Sequence, residues 1–290
     1  MPVLVSAVEG NHQSLDGGAM FGNVPRPVWE KWLTPDALGR VRLACRGLLI
    51  EHAGLRILCE TGIGAFFDPK MKARFGVEES QHVLLESLAT LGLTDGDIDA
   101  VILSHLHFDH AGGLLPCYED IHAGRADLLF PRARYVVGRE AFARAKAPHV
   151  RDRASFIPGM VEKLERSQRL LIVDGDRIAD LLPDRLSFKY TNGHTPAQMH
   201  TVFRGDRETI FFAGDLVPGT PWVHLPVTMG YDRFPEQLID EKHSVYQEAL
   251  REQWLLFYTH DPVHPASHIQ FSGEKFQPAN PLQDLVRRAL

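Results

Sequence analysis

Hydrophobic and polar positions along the chain follow two different periods, which predicts a mixture of strands and helices. Residues 78–91 place apolar side chains three or four positions apart and end before Gly92, the pattern of an amphipathic helix. Residues 98–104 form a short, nearly continuous apolar run, which is typical of a strand buried on both faces. The same patterns predict further strands at 41–52, 55–60, 134–138, 170–174, 186–191, 199–204, 209–213 and 254–259, and further helices at 139–147, 159–166 and 235–252.

The order of these segments predicts the fold class and the domain organisation. Each half of the chain contains both strands and helices. This order favours a single α/β domain over residues 1–290, with two sheets packed between helices. No Gly-x-Gly-x-x-Gly motif follows a strand, so a dinucleotide-binding sheet is disfavoured. Residues 14–32 are rich in Gly and Pro and predict an irregular N-terminal arm. The polar tail from residue 268 predicts an irregular end with one short helix.

Composition excludes several kinds of partner. The formal net charge is −6 and no basic block is present, which argues against nucleic acid. No run approaches the roughly 20 apolar residues of a membrane helix, so no membrane partner is expected. The first residues carry no basic region or cleavage site of a secretory signal, and the three scattered cysteines fit reduced thiols. We therefore expect a cytoplasmic protein acting on a small-molecule substrate.

Histidine placement indicates a metal centre. The segment from His105 to His110 reads HLHFDH. Alternate residues of an extended segment point to the same side, so His105 and His107 can bind one ion together. Asp109 and His110 follow on the turn beyond the strand, from which they can reach a second ion. Imidazole and carboxylate groups at this density predict a site for divalent transition metals.

Three further candidate ligands each follow a predicted strand. His194 lies in the turn after 186–191, Asp215 follows 209–213, and His260 follows 254–259. Ligands at strand ends gather along one edge of a sheet, where binding residues are commonly placed. These residues are therefore expected to complete the coordination that the first cluster begins.

The order HxHxDH, GHTP, GD and a late His resembles the metallo-β-lactamase superfamily, and the early Thr61-Gly62 turn agrees with it. The resemblance implies a four-layer αββα sandwich and two divalent metal ions, with zinc as the default and Fe, Mn, Co or Ni as alternatives. It also implies a ligand set in which Asp215 bridges both ions. The first ion is then held by His105, His107 and His194, and the second by Asp109, His110 and His260.

Within the superfamily, the arm and the segment 42–64 resemble quorum-quenching N-acyl homoserine lactonases and related organophosphate hydrolases. This resemblance implies a dinuclear hydrolase in which a metal-bridging hydroxide opens lactones or cleaves related esters. Phosphotriesters and aryl esters are alternative substrates. A sulfur dioxygenase with a single iron is an alternative of another class, which the complete second ligand set disfavours. A nuclease and a non-catalytic, metal-stabilised scaffold are weaker alternatives.

The sequence departs from the pattern of the family in three places. Glu60 stands where Asp is usual before the Thr-Gly turn, and it keeps a carboxylate that can orient a ligand histidine. Ala197 and Gln198 replace a usual Gly-His pair. Pro218 stands where a lactonase subgroup has a Tyr that assists the substrate carbonyl. The last departure weakens the assignment to acyl-homoserine lactones and leaves the hydrolase interpretation intact.

Residues near the motifs supply candidates for the pocket. Asp109 is predicted to orient the nucleophile and to move a proton to the leaving group. His224 and Tyr231 are the candidates for contact with an oxyanion or the leaving group. Trp222 and Phe21 are expected to give the cleft an apolar lining. The aromatic residues of the arm can pack on the body of the protein, over the cleft or on a second copy of the chain, so a homodimer is one of three alternatives.

Overall fold

The structure is a computed structural model that describes residues 2–178, 181–182 and 184–290. Strands supply most of its framework. In chain order they are β1 (Leu4–Val8), β2 (Gln13–Asp16), β3 (Arg40–Leu43), β4 (Gly47–His52), β5 (Leu55–Cys59), β6 (Ala100–Leu103), β7 (Arg134–Gly138), β8 (Leu170–Val173), β9 (Leu186–Thr191), β10 (Gln198–Arg204), β11 (Thr209–Phe212), β12 (Leu255–Phe257), β13 (Ala266–Ser272), β14 (Lys275–Ala279) and β15 (Arg288–Ala289).

Helices connect these strands. They are α1 (Gly17–Phe21), α2 (Arg26–Trp29), α3 (Pro69–Phe75), α4 (Val83–Thr90), α5 (Phe108–Ala111), α6 (Tyr118–His122), α7 (Arg139–Lys146), α8 (Met160–Arg166) and α9 (Pro235–Glu252). Short 3₁₀ turns include Gly214–Leu216 and Thr220–Val223. None of the helices in the described ranges is long and apolar enough to cross a membrane.

Two large sheets and one strand pair organise the described strands. The first sheet has the order β15-β1-β4-β5-β6-β7-β8, and its β5 to β8 run parallel. The second has the order β14-β13-β12-β11-β10-β9, in which β11 and β12 are parallel. The strands β2 and β3 form a separate antiparallel pair. Each large sheet therefore mixes hairpins with parallel crossovers.

Hydrophobic clusters on both faces of each sheet produce four layers. One cluster joins the facing sides of the sheets and includes Ile57 and Ile102 from the first and Phe203 and Phe257 from the second. A second cluster packs α4, α7 and α8 on the outer side of the first sheet. A third packs α1, α2 and α9 on the outer side of the second sheet. The predicted αββα sandwich is therefore confirmed, while the assignment of 1–290 to one domain stays a prediction.

The structure corrects three of the predicted segments. Residues 41–52 form two strands, β3 and β4, which belong to different sheets. Residues 14–32 are not irregular, because they contain part of β2 together with α1 and α2. The tail from residue 268 continues β13 and adds β14 and β15, and β15 pairs with β1. Pairing with distant strands orders these segments, and their local patterns do not reveal such pairing.

A buried lysine joins α9 to the loop that precedes it. Lys242 is fully buried, and its Nζ donates hydrogen bonds to the carbonyl oxygens of His224, Leu225 and Val227 at 3.0, 3.2 and 2.9 Å. Replacing it (Lys242→Met) leaves three carbonyls without their donor. We expect the free energy of unfolding to fall by about 2–4 kcal/mol, measured by urea denaturation.

Lys189 provides the control for this prediction. Its partly exposed ammonium lies 2.8 Å from Glu248. Solvent-exposed ion pairs contribute little, so Lys189→Met should change the free energy of unfolding by less than about 1 kcal/mol. Equal effects of the two substitutions would contradict the role given to Lys242.

Candidate metal centre

The predicted ligands lie at the carboxyl ends of four strands. His105 and His107 follow β6, and α5 then carries Asp109 and His110. The remaining three follow β9, β11 and β12. The structure brings all seven side chains together: His105, His107, Asp109, His110, His194, Asp215 and His260.

Two glycines allow the chain to pass close to the early Thr-Gly turn. A Cβ at Gly113 would lie 2.0 Å from the carbonyl oxygen of Thr61, and one at Gly112 would lie 2.1 Å from that of Ile63. Side chains at either position would push the segment after α5 away from this turn. The Gly-Gly pair of the motif thus positions the helix that carries Asp109 and His110.

One group of donor atoms surrounds Asp215. His105, His107, His194 and Asp215 each offer an atom, and these atoms lie within 4.8 Å of one another. The Nδ1 of His107 lies 3.0 Å from His105 Nε2 and 3.4 Å from His194 Nε2. The Oδ2 of Asp215 lies 3.1 Å from His194 Nε2. This is the set predicted for the first ion.

The second group lies on the other side of the Asp215 carboxylate. Asp109, His110 and His260 bring their donor atoms within the same 4.8 Å limit. The Oδ1 of Asp215 lies 3.3 Å from His110 Nε2 and 3.2 Å from His260 Nε2. Asp215 therefore stands between the groups, one oxygen towards each.

Acceptors outside the cluster set the protonation of the ligand histidines. The Nδ1 of His110 donates to Glu60 Oε2 at 2.5 Å, and that of His194 donates to Asp232 Oδ1 at 2.9 Å. The Nδ1 of His260 donates to the carbonyl oxygen of Ala44 at 2.7 Å. Each imidazole therefore carries its proton on the outer nitrogen and presents a lone pair at Nε2.

The donor set fits metal ions. Lone pairs of imidazole face one another and the Asp215 carboxylate, an arrangement that cations between them would stabilise. The Oδ1 of Asp215, which faces the second donor group, is buried and has no hydrogen-bond partner within the described ranges. Buried polar atoms are normally partnered, so this pattern indicates a binding site for divalent metals.

The pKa directions divide the ligand histidines into two kinds. Burial lowers the pKa of His107 to about 3, and it lowers that of His105 well below the ordinary value. Burial would also lower the pKa of His110, His194 and His260, but nearby carboxylates, that of Asp215 among them in each case, raise it. The same three histidines keep the pKa of Asp215 well below its ordinary value, against the effect of its burial. Metals bind the neutral imidazole and the ionised carboxylate, so metal binding at these three histidines must displace a proton.

A cavity of about 350 Å³ opens onto the cluster. His107, Asp109, His194, Asp215 and His260 line its floor. Its walls carry mainly apolar side chains, which are Leu15, Met20, Leu43, Phe75, Phe108 and Met229. A concave, mostly apolar site with a few convergent polar groups is typical of small-molecule binding.

Of the predicted pocket residues, the structure places Tyr231 in the cavity wall but not His224. The imidazole of His224 stacks on Trp32 instead, with ring centroids 5.2 Å apart. Trp222 and Phe21 are buried and stack on each other at 4.7 Å, outside the lining formed by the described residues. None of these three side chains therefore lines the described cavity, because aromatic packing holds Trp222 and Phe21 in the core and keeps the half-buried His224 against Trp32.

Sequence reasoning missed several residues that support the cluster. Asp232 accepts a hydrogen bond from the imidazole of His194. Gln13 Nε2 donates to Asp109 Oδ2 at 3.1 Å. Arg151, Asp152 and Arg233 line the cavity. No motif marks these residues in the sequence, since distant loops bring them to the site.

The comparisons with known proteins identify the family. A family model described as the metallo-beta-lactamase superfamily matches residues 42–268. The chain therefore belongs to the metallo-β-lactamase superfamily.

Individual relatives agree with this assignment. A metallo-beta-lactamase fold-containing protein, ST1585, from Sulfurisphaera tokodaii is 27% identical over 142 residues, which span 47% of this chain and 54% of that protein. A solved structure of a probable metal-dependent hydrolase from Staphylococcus aureus has a TM-score of 0.84 and 26% identity, with 100% of this chain and 98% of that one covered. AidC, a dizinc quorum-quenching lactonase, has a TM-score of 0.73 and 20% identity, with coverage of 96% and 94%, and shows the shared fold.

Proposed function

We propose that this chain opens lactones, or cleaves related esters, at a centre holding two divalent metal ions, with zinc as the first choice. The observation that carries the proposal is the position of Asp215, whose two oxygens lie 3.1–3.3 Å from histidines of both donor groups. A carboxylate in that position suits a bridge between two ions. The fold shared with the dizinc lactonase AidC supports the choice of lactones.

The residues divide into two sets of ligands. His105, His107 and His194 would hold one ion, Asp109, His110 and His260 the other, and Asp215 both. Divalent ions bound here would lower the pKa of water towards neutrality and polarise a substrate carbonyl. The apolar cavity walls would exclude bulk water around these charges, which strengthens their effect on the reacting groups.

Two side chains at the cavity would handle protons. Gln13 fixes Asp109 by its hydrogen bond to Oδ2, so the carboxylate can orient the attacking water, accept its proton and pass that proton to the leaving alkoxide. Tyr231 lines the same cavity and would donate its phenolic proton in a hydrogen bond to the substrate carbonyl or the leaving oxygen.

Metal content and lactone turnover, measured together, test the proposal. We expect close to two metal ions per chain, turnover of γ-lactones by the loaded protein, loss of turnover with a chelator, and recovery when zinc is added back. Two ions without turnover of lactones or aryl esters would contradict the substrate class and leave phosphotriesters to be tried. One iron per chain with oxygen uptake in the presence of a persulfide would favour the sulfur dioxygenase instead.

A further inference from the structure

One wall of the cavity carries charged side chains that the metal cluster does not use. Arg151, Asp152 and Arg233 line the cavity together with the ligands. Arg144 lies behind this wall, where it contacts Asp152 without lining the described cavity. These four residues are called the polar wall below.

Asp152 already has a strong partner on the side away from the cavity. Its side chain is 7% exposed, and its Oδ2 accepts hydrogen bonds from Arg144 Nε at 2.9 Å and from Arg144 Nη2 at 2.7 Å. Both bonds go to one oxygen, and Asp152 Oδ1 is buried without a hydrogen-bond partner in the described part of the chain. Asp152 therefore pairs with Arg144 through Oδ2.

Arg233 has no comparable partner. Its side chain is 12% exposed, and its Nη1 lies 3.7 Å from Asp152 Oδ2, beyond hydrogen-bond distance. Both Nε and Nη1 of Arg233 are buried without a hydrogen-bond partner in the described part of the chain. Burying donors of a charged group without a partner destabilises the fold. Packing alone therefore does not account for the position of this guanidinium, whereas a bound acceptor would.

The polar wall has an excess of positive charge. Asp152 is the one carboxylate of the polar wall, with Arg144 at 2.7 Å and Arg233 at 3.7 Å from it, and Arg151 lines the same cavity. Burial lowers the pKa of Arg233, Asp152 opposes this, and the charges of Arg144 and Arg151 lower it further. Arg151 is held at the wall because its Nη2 donates to the carbonyl oxygens of Gly230 and Asp232 at 3.0 and 3.3 Å. An anion at this wall would relieve the repulsion.

We propose that Arg233, with Arg151 beside it, binds a carboxylate group of the substrate at a distance from the bond that is cleaved. The inference rests on the proposed function, since it names carboxylate-bearing lactones or esters as the preferred substrates of that site. The planar fork of a guanidinium matches a carboxylate, and the apolar walls suit the short chain that joins it to the reacting carbonyl.

Two substrates that differ in one group test this preference. One is a γ-lactone whose side chain ends in a carboxylate, and the other is the same lactone ending in a carboxamide. With the metal-loaded wild-type protein, we expect kcat/KM to be roughly 10- to 100-fold higher for the carboxylate, the range that one hydrogen bond to a charged group supplies. Arg233→Met should reduce that ratio to near one, and Arg233→Lys should keep part of it.

Arg139→Met is the matched control. Arg139 pairs with Asp174 at 2.9 Å and does not line the described cavity, so this variant should keep the preference for the carboxylate. A ratio near one in the wild-type protein would overturn the proposal. So would a ratio in Arg233→Met that equals the ratio in Arg139→Met, because that result would mean that Arg233 does not recognise the carboxylate.

Direct binding separates this proposal from the proposed function. Titration calorimetry would compare pentanoate with pentanamide on the metal-loaded wild-type protein, Arg233→Met and Arg139→Met. The ions contribute equally in all three proteins, so a carboxylate preference lost only in Arg233→Met supports the arginine site even if no lactone or ester is turned over. A preference unchanged in Arg233→Met would overturn it even if lactones are hydrolysed.

Discussion

Asp215→Asn should abolish hydrolysis more completely than any other single change in the ligand cluster. The carboxylate is 5% exposed and lies within 3.1–3.3 Å of His110, His194 and His260. An amide keeps one acceptor oxygen and turns two N–H donors towards imidazole lone pairs or a cation, so neither donor group keeps its charge partner. We expect kcat/KM to fall by on the order of 10³-fold, the loss that follows removal of a group stabilising charge at a reacting centre.

Metal analysis and kinetics on the same preparation check this prediction. Asp215→Asn should retain less than the full metal content of the wild-type protein after gel filtration. Tyr231→Phe is the comparison, because Tyr231 lines the cavity without belonging to either donor group. It should keep both ions and lose at most roughly tenfold in kcat, the worth of one neutral hydrogen bond. Full metal content and near wild-type activity in Asp215→Asn would refute its place between the ions.

The fold was predictable wherever a local pattern coincided with burial. The helical period over 235–252 reproduces α9, and the apolar run at 98–104 contains β6. The N-terminal arm and the C-terminal tail were not predictable in this way. In the tail, Phe276, Leu285 and Leu290 are buried in clusters with segments far away in the chain, and they do not follow a helical or strand period. Such segments are ordered by pairing and packing with distant parts of the chain, which local periodicity does not reveal.

The residues of the candidate site were likewise predictable only in part. The metal-binding cluster was predictable from sequence for two reasons. Histidine and aspartate are concentrated in the segment HLHFDH, and each of the other three ligands follows a predicted strand. The polar wall was not anticipated, because Arg151 and Asp152 come from one loop and Arg233 from another, and neither loop has a motif. His224 and Trp222 show the opposite error, since closeness in sequence to Asp215 suggested a place in the pocket that packing against Trp32 and Phe21 excludes.

Substitution of Glu60 should have the second large effect on metal binding, because the Glu60 side chain is linked by hydrogen bonds to a histidine of each donor group. It is fully buried and has φ of 63°, a conformation that residues other than glycine rarely adopt. His110 Nδ1 donates to its Oε2, while the backbone N–H and the hydroxyl of Ser104 donate to its Oε1. The Ser104 hydroxyl in turn accepts from His105 Nδ1 at 2.8 Å. One carboxylate thus orients a ligand of each group.

Glu60→Gln should weaken the binding of both ions by about 10- to 100-fold each, the usual cost of losing a partner of a ligand histidine. Donors converge on both oxygens of Glu60, and a glutamine has one acceptor oxygen to meet them, so its NH₂ must face another donor. Asp232→Asn is the comparison, because Asp232 contacts His194 alone among the described ligands and should weaken one ion. Competition with a chromogenic chelator measures both affinities. Glu60→Gln weakening only one ion would mean that the link through Ser104 to His105 does not transmit the loss of the carboxylate.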